Sequence, residues 1–330
     1  MKLKRIVKNL IIIIFVIALG VVVYFNYDAI QSKIFNIVDN GIDYMDKTGL
    51  TKLSSDGKLI ANSDVDKLED SGITGEDVVI DTNYYPYYRV LNNHEQLLYR
   101  QIYANIKAAS TTFVPEENVT VGVVNNVIEA VYNDHPELFW MDTSYTYKYT
   151  EENVCAQVIL KFNETANYLD TAKENFENEV SSIIANASRY STSYEKEKAV
   201  HDAIIDKTEY NETAPMNQTA YSALVNGKTV CAGYARAFQY IMMRLNIPTY
   251  YVTGISDGDH AWNIVKLEDG FYNVDLTWDD NKVNHYIYFN IPDSEFSKTH
   301  TRTRYSTKLP NCTGTKYVGN ITPKTEESNE

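Results

Sequence analysis

Apolar side chains change their period along this chain, and each change marks an element. Leu10 to Phe25 is an apolar stretch without a charge; with its flanks it meets the roughly 17–25 residues that cross a bilayer. Ile30, Ile34, Ile37, Val38, Ile42 and Met45 then keep a helical period, after which the chain turns polar and poor in aromatics through Asp81. Beyond residue 84 the tyrosines and tryptophans concentrate. Leu97, Leu98, Ile102 and Ile106 repeat at helical spacing within Asn92–Val131, and Thr143 to Phe162 alternates as a hairpin does. Two helices are expected next, over Thr165–Ala187 and Ser193–Lys207, the second with Ser193 as N-cap and Glu195 and Glu197 in its first turn. Tyr234, Ala237, Phe238, Ile241, Met242 and Leu245 mark a further helix, opened by Cys231 and closed by Asn246-Ile247-Pro248. His260 to Leu267 alternates, Phe271 to Thr277 reads as a second strand, and Asp269-Gly270 between them signals a hairpin.

The last helix and this hairpin together carry chemistry. TVCAGYARAF, GDHAWNIVKL and FYNVDLTWDD place Cys231, His260 and Asp275 in chain order: a nucleophile, a general base and a carboxylate to orient the base. A thiol becomes a thiolate near neutral pH when an imidazole stands beside it, and the imidazole needs a partner to hold one tautomer. Open amides and the helix dipole at the Cys231 end favour a thiolate there, and Gly233 is expected to leave room for substrate backbone. A two-residue turn would set Asp275 opposite Ile264 and a four-residue turn opposite Trp262; either keeps it on the His260 face, and the wider turn fits better. For the oxyanion, the Cys231 amide is the first donor, and Gln218 and Tyr221 are side-chain candidates for the second. Trp262, two residues after His260, is a candidate to shield the His–Asp pair from water.

These motifs resemble the transglutaminase-like superfamily, papain-related thiol enzymes that include transglutaminases and transglutaminase-like peptidases. The resemblance is specific around VCAGYARAF, HAWNIV and VDLTWDD and looser over residues 84–305. QTAYSALVNGKT, DHPELFW at 134–140 and NHYIYFNIP are similar to a bacterial branch with a helical extension before the core. It implies an α+β fold in which a Cys-bearing helix packs on an antiparallel sheet or small barrel bearing His and Asp. Cys231 matches the family's nucleophile, His260 its base and Asp275 its orienting acid. Together with the patterning along the chain, the expected organisation is a basic flank (1–9), a transmembrane signal-anchor (10–27), a stalk (28–81), a helical and hairpin extension (82–164), a catalytic core (165–305) and a polar tail (306–330).

Lys2, Lys4, Arg5 and Lys8 before the apolar run keep the N-terminus cytoplasmic and put the rest outside. A cleaved signal peptide is the rival reading, though the VVVYF that follows Ala18-Leu19-Gly20 disfavours cleavage there. A net charge of −14 argues against nucleic acid, which needs clustered Lys and Arg. Three cysteines leave Cys155 and Cys312 either as separate thiols or as an extracellular pair. No CxxC or HExxH is present, and His94, His135, His201, His285 and His300 lack ligand spacing, so no metal or cofactor is expected; His201 reads as a surface or half-buried residue. Asp257-Gly258-Asp259 reads as a turn before the His strand. The expected partners are a membrane, through the N-terminal helix, and a protein, peptide or cell-wall peptide substrate. Three functions remain: a hydrolase of peptide, isopeptide or side-chain amide bonds, a transglutaminase joining glutamine to an amine, and a non-catalytic surface binding module.

Overall fold

A computed structural model describes residues 53–69, 72–281 and 286–319. The expected signal-anchor at 10–27 and the helical-period stretch after it lie outside the described residues, within which no helix is long and apolar enough to cross a membrane.

The chain folds as an α+β structure with two four-stranded sheets. The first belongs to the N-terminal extension. Strand β1 (Ser54–Leu59) pairs parallel with β2 (Met141–Tyr149), and β2 pairs antiparallel with β3 (Cys155–Phe162), the hairpin expected from the alternation. Thr112–Phe113 closes the other edge. The SSDGKL segment of β1 falls in the expected stalk; nearly every side chain on it is exposed, so it shows no alternation, and backbone pairing alone makes it a strand. Helices α1 (Asn93–Lys107) and α2 (Val121–Asp134) bury Leu98, Ile102, Ile106, Val124, Val127, Ile128 and Val131 between them and the sheet. Asn92 and Glu95 form a reciprocal capping box at the start of α1.

In the core, α3 (Leu169–Ala187) and α4 (Ser193–Lys207) precede α5 (Cys231–Arg244). Thr192, not Ser193, is the N-cap of α4: its hydroxyl accepts from the Glu195 amide while Glu195 returns to the Thr192 amide, which needs the hydroxyl three residues before the acid. Helix α5 buries Tyr234, Ala237, Phe238, Ile241 and Met242 completely and packs on an antiparallel sheet made of β4 (Thr249–Ile255), β5 (Asp259–Leu267) and β6 (Gly270–Val274), with β7 (Thr301–Arg302) on the β4 edge. Asn263 Nδ2 donates to the Ala235 carbonyl at 3.0 Å and ties sheet to helix. Asp257 and Gly258, both at positive φ, turn β4 into β5.

The C-terminal end of α2 meets the middle of α5. Arg236 Nη1 donates to the Tyr132 carbonyl at 2.5 Å and Gln239 Nε2 to the Asn133 carbonyl at 3.1 Å; last-turn carbonyls have no N–H donor within their own helix and carry its partial negative charge. The extension is thereby joined to the Cys-bearing helix. Of the expected polar tail, residues 311–319 run back along the sheet: the Gly314 amide donates to the Phe271 carbonyl, Tyr317 stacks on Tyr194 at 4.5 Å, and Cys312 is buried.

Candidate active site

Cys231 is the first residue of α5. Its N-cap, Val230, has no oxygen with which to cap the helix, and α-helical bonding leaves the leading amides of the first turn without an intrahelical acceptor. The Gly233 and Tyr234 amides both donate to the Val230 carbonyl, at 2.9 and 3.2 Å, so the Cys231 and Ala232 amides are the ones that lead the helix at the thiol. The segment 217–219 braces this turn from behind: the Val230 amide and the Thr229 hydroxyl both donate to the Asn217 carbonyl. Gly233 belongs to this brace and not to a substrate channel, since a Cβ there would lie 1.8 Å from Thr229 Oγ1 and 2.8 Å from the Thr219 carbonyl oxygen. Its missing side chain makes room for the chain's own backbone.

His260 lies on β5 and Asp275 directly after β6. Asn263 pairs with Val274, which sets Asp275 opposite Trp262, the arrangement favoured from sequence; the turn itself is shorter than expected, with only Glu268 and Asp269 between the Leu267–Gly270 pair. Asp275 leaves the sheet there and N-caps the short helix α6 (Leu276–Asp279), its Oδ1 accepting from the Thr277 and Trp278 amides at 3.0 and 3.2 Å. The cap fixes the carboxylate so that Oδ2 meets His260 Nε2 at 2.7 Å. Cys231 interacts electrostatically with the same imidazole and favours its charged form; with Nε2 committed to Asp275, Nδ1 is the ring nitrogen left for a thiol. All three side chains are buried. Burial opposes a charged imidazole, but the Asp275 charge and hydrogen bond, with the Cys231 contact, outweigh it and raise His260 to about 10. Asp275 is likewise resisted by burial and held below the ordinary carboxylate range by His260 and His300.

His300 was invisible in the sequence. It precedes β7, whose Arg302 pairs with Gly254, the residue that also faces His260 across β5; a two-residue strand leaves no periodic trace. Its Nε2 reaches Asp275 Oδ2 at 3.0 Å and its Nδ1 contacts Thr299 Oγ1 at 2.8 Å. His260, Asp275 and His300 offer ligand atoms within 4.8 Å of one another, a set that could hold a divalent cation, but each Nε2 is already engaged with the carboxylate. Trp262 lies against this group, 6.1 Å from the His260 ring and 5.1 Å from His300, while Trp278 is 4.9 Å from His300.

His201, expected at the surface or half-buried, is fully buried. Its Nε2 meets Asp279 Oδ2 at 3.2 Å and its Nδ1 meets Asp202 at 3.3 Å. Of the oxyanion candidates, Gln218 lies in the brace behind Cys231, its Nε2 donating weakly to Asn217 Oδ1 at 3.4 Å. Tyr221 stacks on Phe139 at 4.8 Å and meets Asn175 with its hydroxyl, contacts that assign its side chain to the packing of α3. All three cysteines are free and buried.

Residues 181–276 match the family model of the transglutaminase-like superfamily, a segment that includes Cys231, His260 and Asp275. Among solved structures, the chain is similar to a candidate cysteine protease from Cytophaga hutchinsonii, at 18% identity over 38% of this chain and 41% of that one, with a TM-score of 0.30. It is also similar to a TGase at 13% identity over 57% of this chain and 56% of the other, again with a TM-score of 0.30. Both matches span less than two thirds of the other chain. No curated protein matches.

Proposed function

We propose, for a chain whose residues 181–276 match the model of the transglutaminase-like superfamily, a membrane-anchored thiol acyl-transfer enzyme that hydrolyses peptide, isopeptide or side-chain amide bonds outside the cytoplasm. The observation that carries this reading is the 2.7 Å bond from His260 Nε2 to Asp275 Oδ2, made by an imidazole that also contacts Cys231 at an uncapped helix start.

In the proposed reaction the Cys231 thiolate attacks the amide carbonyl carbon, a C–S bond forms, and the oxygen takes up negative charge. The Cys231 amide, with Gln218 as second candidate, would donate to that oxygen. Collapse breaks the C–N bond, and the His260 imidazolium gives its proton to the leaving amine. Water then attacks the thioester while His260 accepts a proton from it; the C–S bond breaks and the thiol is restored. Asp275 keeps Nε2 protonated, so that Nδ1 is the nitrogen that exchanges protons. Membrane attachment is supported by the uncharged run at 10–25 and the basic flank before it.

The test is to trap the acyl-enzyme of the full chain with a peptide library and then offer water alone or water with a millimolar primary amine. An amine must compete with water at about 55 M, so transamidation needs a site that positions it. Cleavage or deamidation at Cys231-dependent rates little changed by the amine supports the hydrolase. Diversion of most acyl-enzyme into amide product would make the enzyme a transglutaminase, and no Cys231-dependent acylation at all would leave a binding module.

A further inference from the structure

We propose that His300 is a positioning residue of this site, donating from Nε2 to the Asp275 oxygen that also receives His260, so that one carboxylate oxygen is shared between two imidazoles. The inference rests on the acyl-transfer reading and deepens it.

A carboxylate has about four acceptor positions. In Asp275 they are filled by the Thr277 and Trp278 amides on Oδ1 and by His260 and His300 on Oδ2, at 2.7 and 3.0 Å. The His300 side chain is wholly buried and its ring is held in place: it stacks on Phe296 at 3.9 Å and is flanked by Trp278 and Trp262 at 4.9 and 5.1 Å. Packing alone in so aromatic a setting favours phenylalanine, because a buried imidazole has two polar atoms to satisfy. Here both are satisfied, and one of them lands on the orienting acid.

The consequence follows from charge sharing. A hydrogen bond from His300 draws off part of the Asp275 charge that would otherwise act on His260 alone. Without it, Asp275 binds the His260 imidazolium more tightly and releases its proton less readily. If His300 is itself protonated the sign is unchanged, since removing a neighbouring positive charge also favours the imidazolium. The titratable groups facing this arrangement are Cys231 from α5, Asp279 from α6, and Tyr288 from the segment after α6, whose ring lies 5.6 Å from His300 and feels Asp275, Asp279 and Asp257. The step most exposed is thioester hydrolysis, which requires neutral His260 as the base.

The experiment compares full-length wild type, His300→Phe and His300→Gln. Acyl-enzyme is formed with a donor peptide, and its hydrolysis is followed against pH from 6 to 10; iodoacetamide labelling of Cys231 at pH 6 is measured alongside. His300→Phe should slow thioester hydrolysis about tenfold at pH 8, the effect of shifting one charge-assisted hydrogen bond by about one pH unit, and should move the rising limb to higher pH. His300→Gln, which keeps a donor, should restore most of the rate, and labelling at pH 6 should stay within about twofold in all three. A phenylalanine variant that hydrolyses the thioester as wild type does overturns the inference alone. A wild type whose Cys231 neither labels nor acylates overturns the acyl-transfer reading and this inference with it. Should His300→Phe not fold, Thr299→Val decides: Thr299 holds Nδ1, and unchanged thioester hydrolysis in that variant also overturns the inference.

Discussion

Replacing Asp275 with asparagine separates the charge of the site from its shape. Asparagine caps a helix as well as aspartate does, so its Oδ1 can still accept from the Thr277 and Trp278 amides, 3.0 and 3.2 Å away in the native protein. The other arm changes from an acceptor to an NH2 facing His260 Nε2 and His300 Nε2. His260 must then accept on Nε2 and carry its proton on Nδ1, toward Cys231, where it cannot serve as a base. Burial opposes the His260 imidazolium, and the Asp275 charge that does most to offset it and raise His260 to about 10 is lost as well. Hydrolysis should fall by about 10³–10⁴-fold, and iodoacetamide labelling of Cys231 at pH 6 by on the order of a hundredfold. Stability supplies an independent reading. A raised His260 stabilises the fold fully below about 6.5 and loses that contribution as pH climbs through about 10; a depressed Asp275 stabilises above the ordinary carboxylate range and loses its contribution in acid. Urea midpoints of variant and wild type should therefore differ most near pH 5–6 and draw together toward pH 10. Labelling at the wild-type rate at pH 6, with superimposable midpoints at every pH, would refute the reasoning.

Further outcomes follow from the same contacts. Iodoacetamide should reach Cys231 before the other thiols in the folded chain, because burial pushes Cys155 up to about 12 and raises Cys312 well above the ordinary thiol range; peptide mapping after partial labelling checks the order, and equal rates would count against Cys231. Glu197 is fully buried, accepts from Asn290 Nδ2 at 3.1 Å, and is raised by burial to about 8, so its contribution to stability is present in acid and lost as pH rises from about 4.5 through 8. Glu197→Gln should remove that loss, gaining on the order of 4 kcal/mol over wild type at pH 9 relative to pH 4 by urea unfolding; a constant difference across pH contradicts the assignment. Gly233→Ala should cost about 1–3 kcal/mol and slow acylation by displacing the 217–219 brace, as read by Tm and single-turnover kinetics; a silent substitution would mean that the brace yields freely.

What was legible in the sequence is what repeats or has a local signature. Helix α5 could be read from Tyr234, Phe238, Ile241 and Met242, and the β5–β6 hairpin from alternation around Asp269-Gly270, because each buries one face on a larger body. The facing of His260 and Asp275 followed from that period, and only the turn length differed. Residues whose positions depend on long-range packing left no such mark. His300 is brought to Asp275 from 25 residues away by a two-residue strand, and His201 from 78 residues away to Asp279; neither separation has a period. Strand β1 is held by backbone pairing with exposed side chains, and the stretch after Pro310 by a few anchors such as Cys312 and Tyr317. Polarity there reports solvent on one side, not lack of structure.

The acids of VDLTWDD divide one task among them. Asp275 caps α6 and turns its free oxygen to the imidazoles. Asp279, at the other end of that single turn, accepts from the Tyr288 amide at 2.7 Å and meets buried His201 on α4, while Asp280 accepts from the Tyr234 hydroxyl at 2.6 Å. Tyr234 lies one helical turn beyond Cys231 on α5. The proposed nucleophile and its orienting acid are thus referred to the same helix through short spans, Cys231 to Tyr234 on one side and Asp275 to Asp280 on the other. A four-residue helix has too few internal hydrogen bonds to hold its own place, so its cap can hold the imidazole only because its C-terminal end is tied to both larger helices, to α4 through His201 and to α5 through Tyr234. Displacement of α4 against α5 would be felt at Asp275 before it was felt at Cys231, which makes orientation of the base, rather than exposure of the thiol, the property most sensitive to packing in this core.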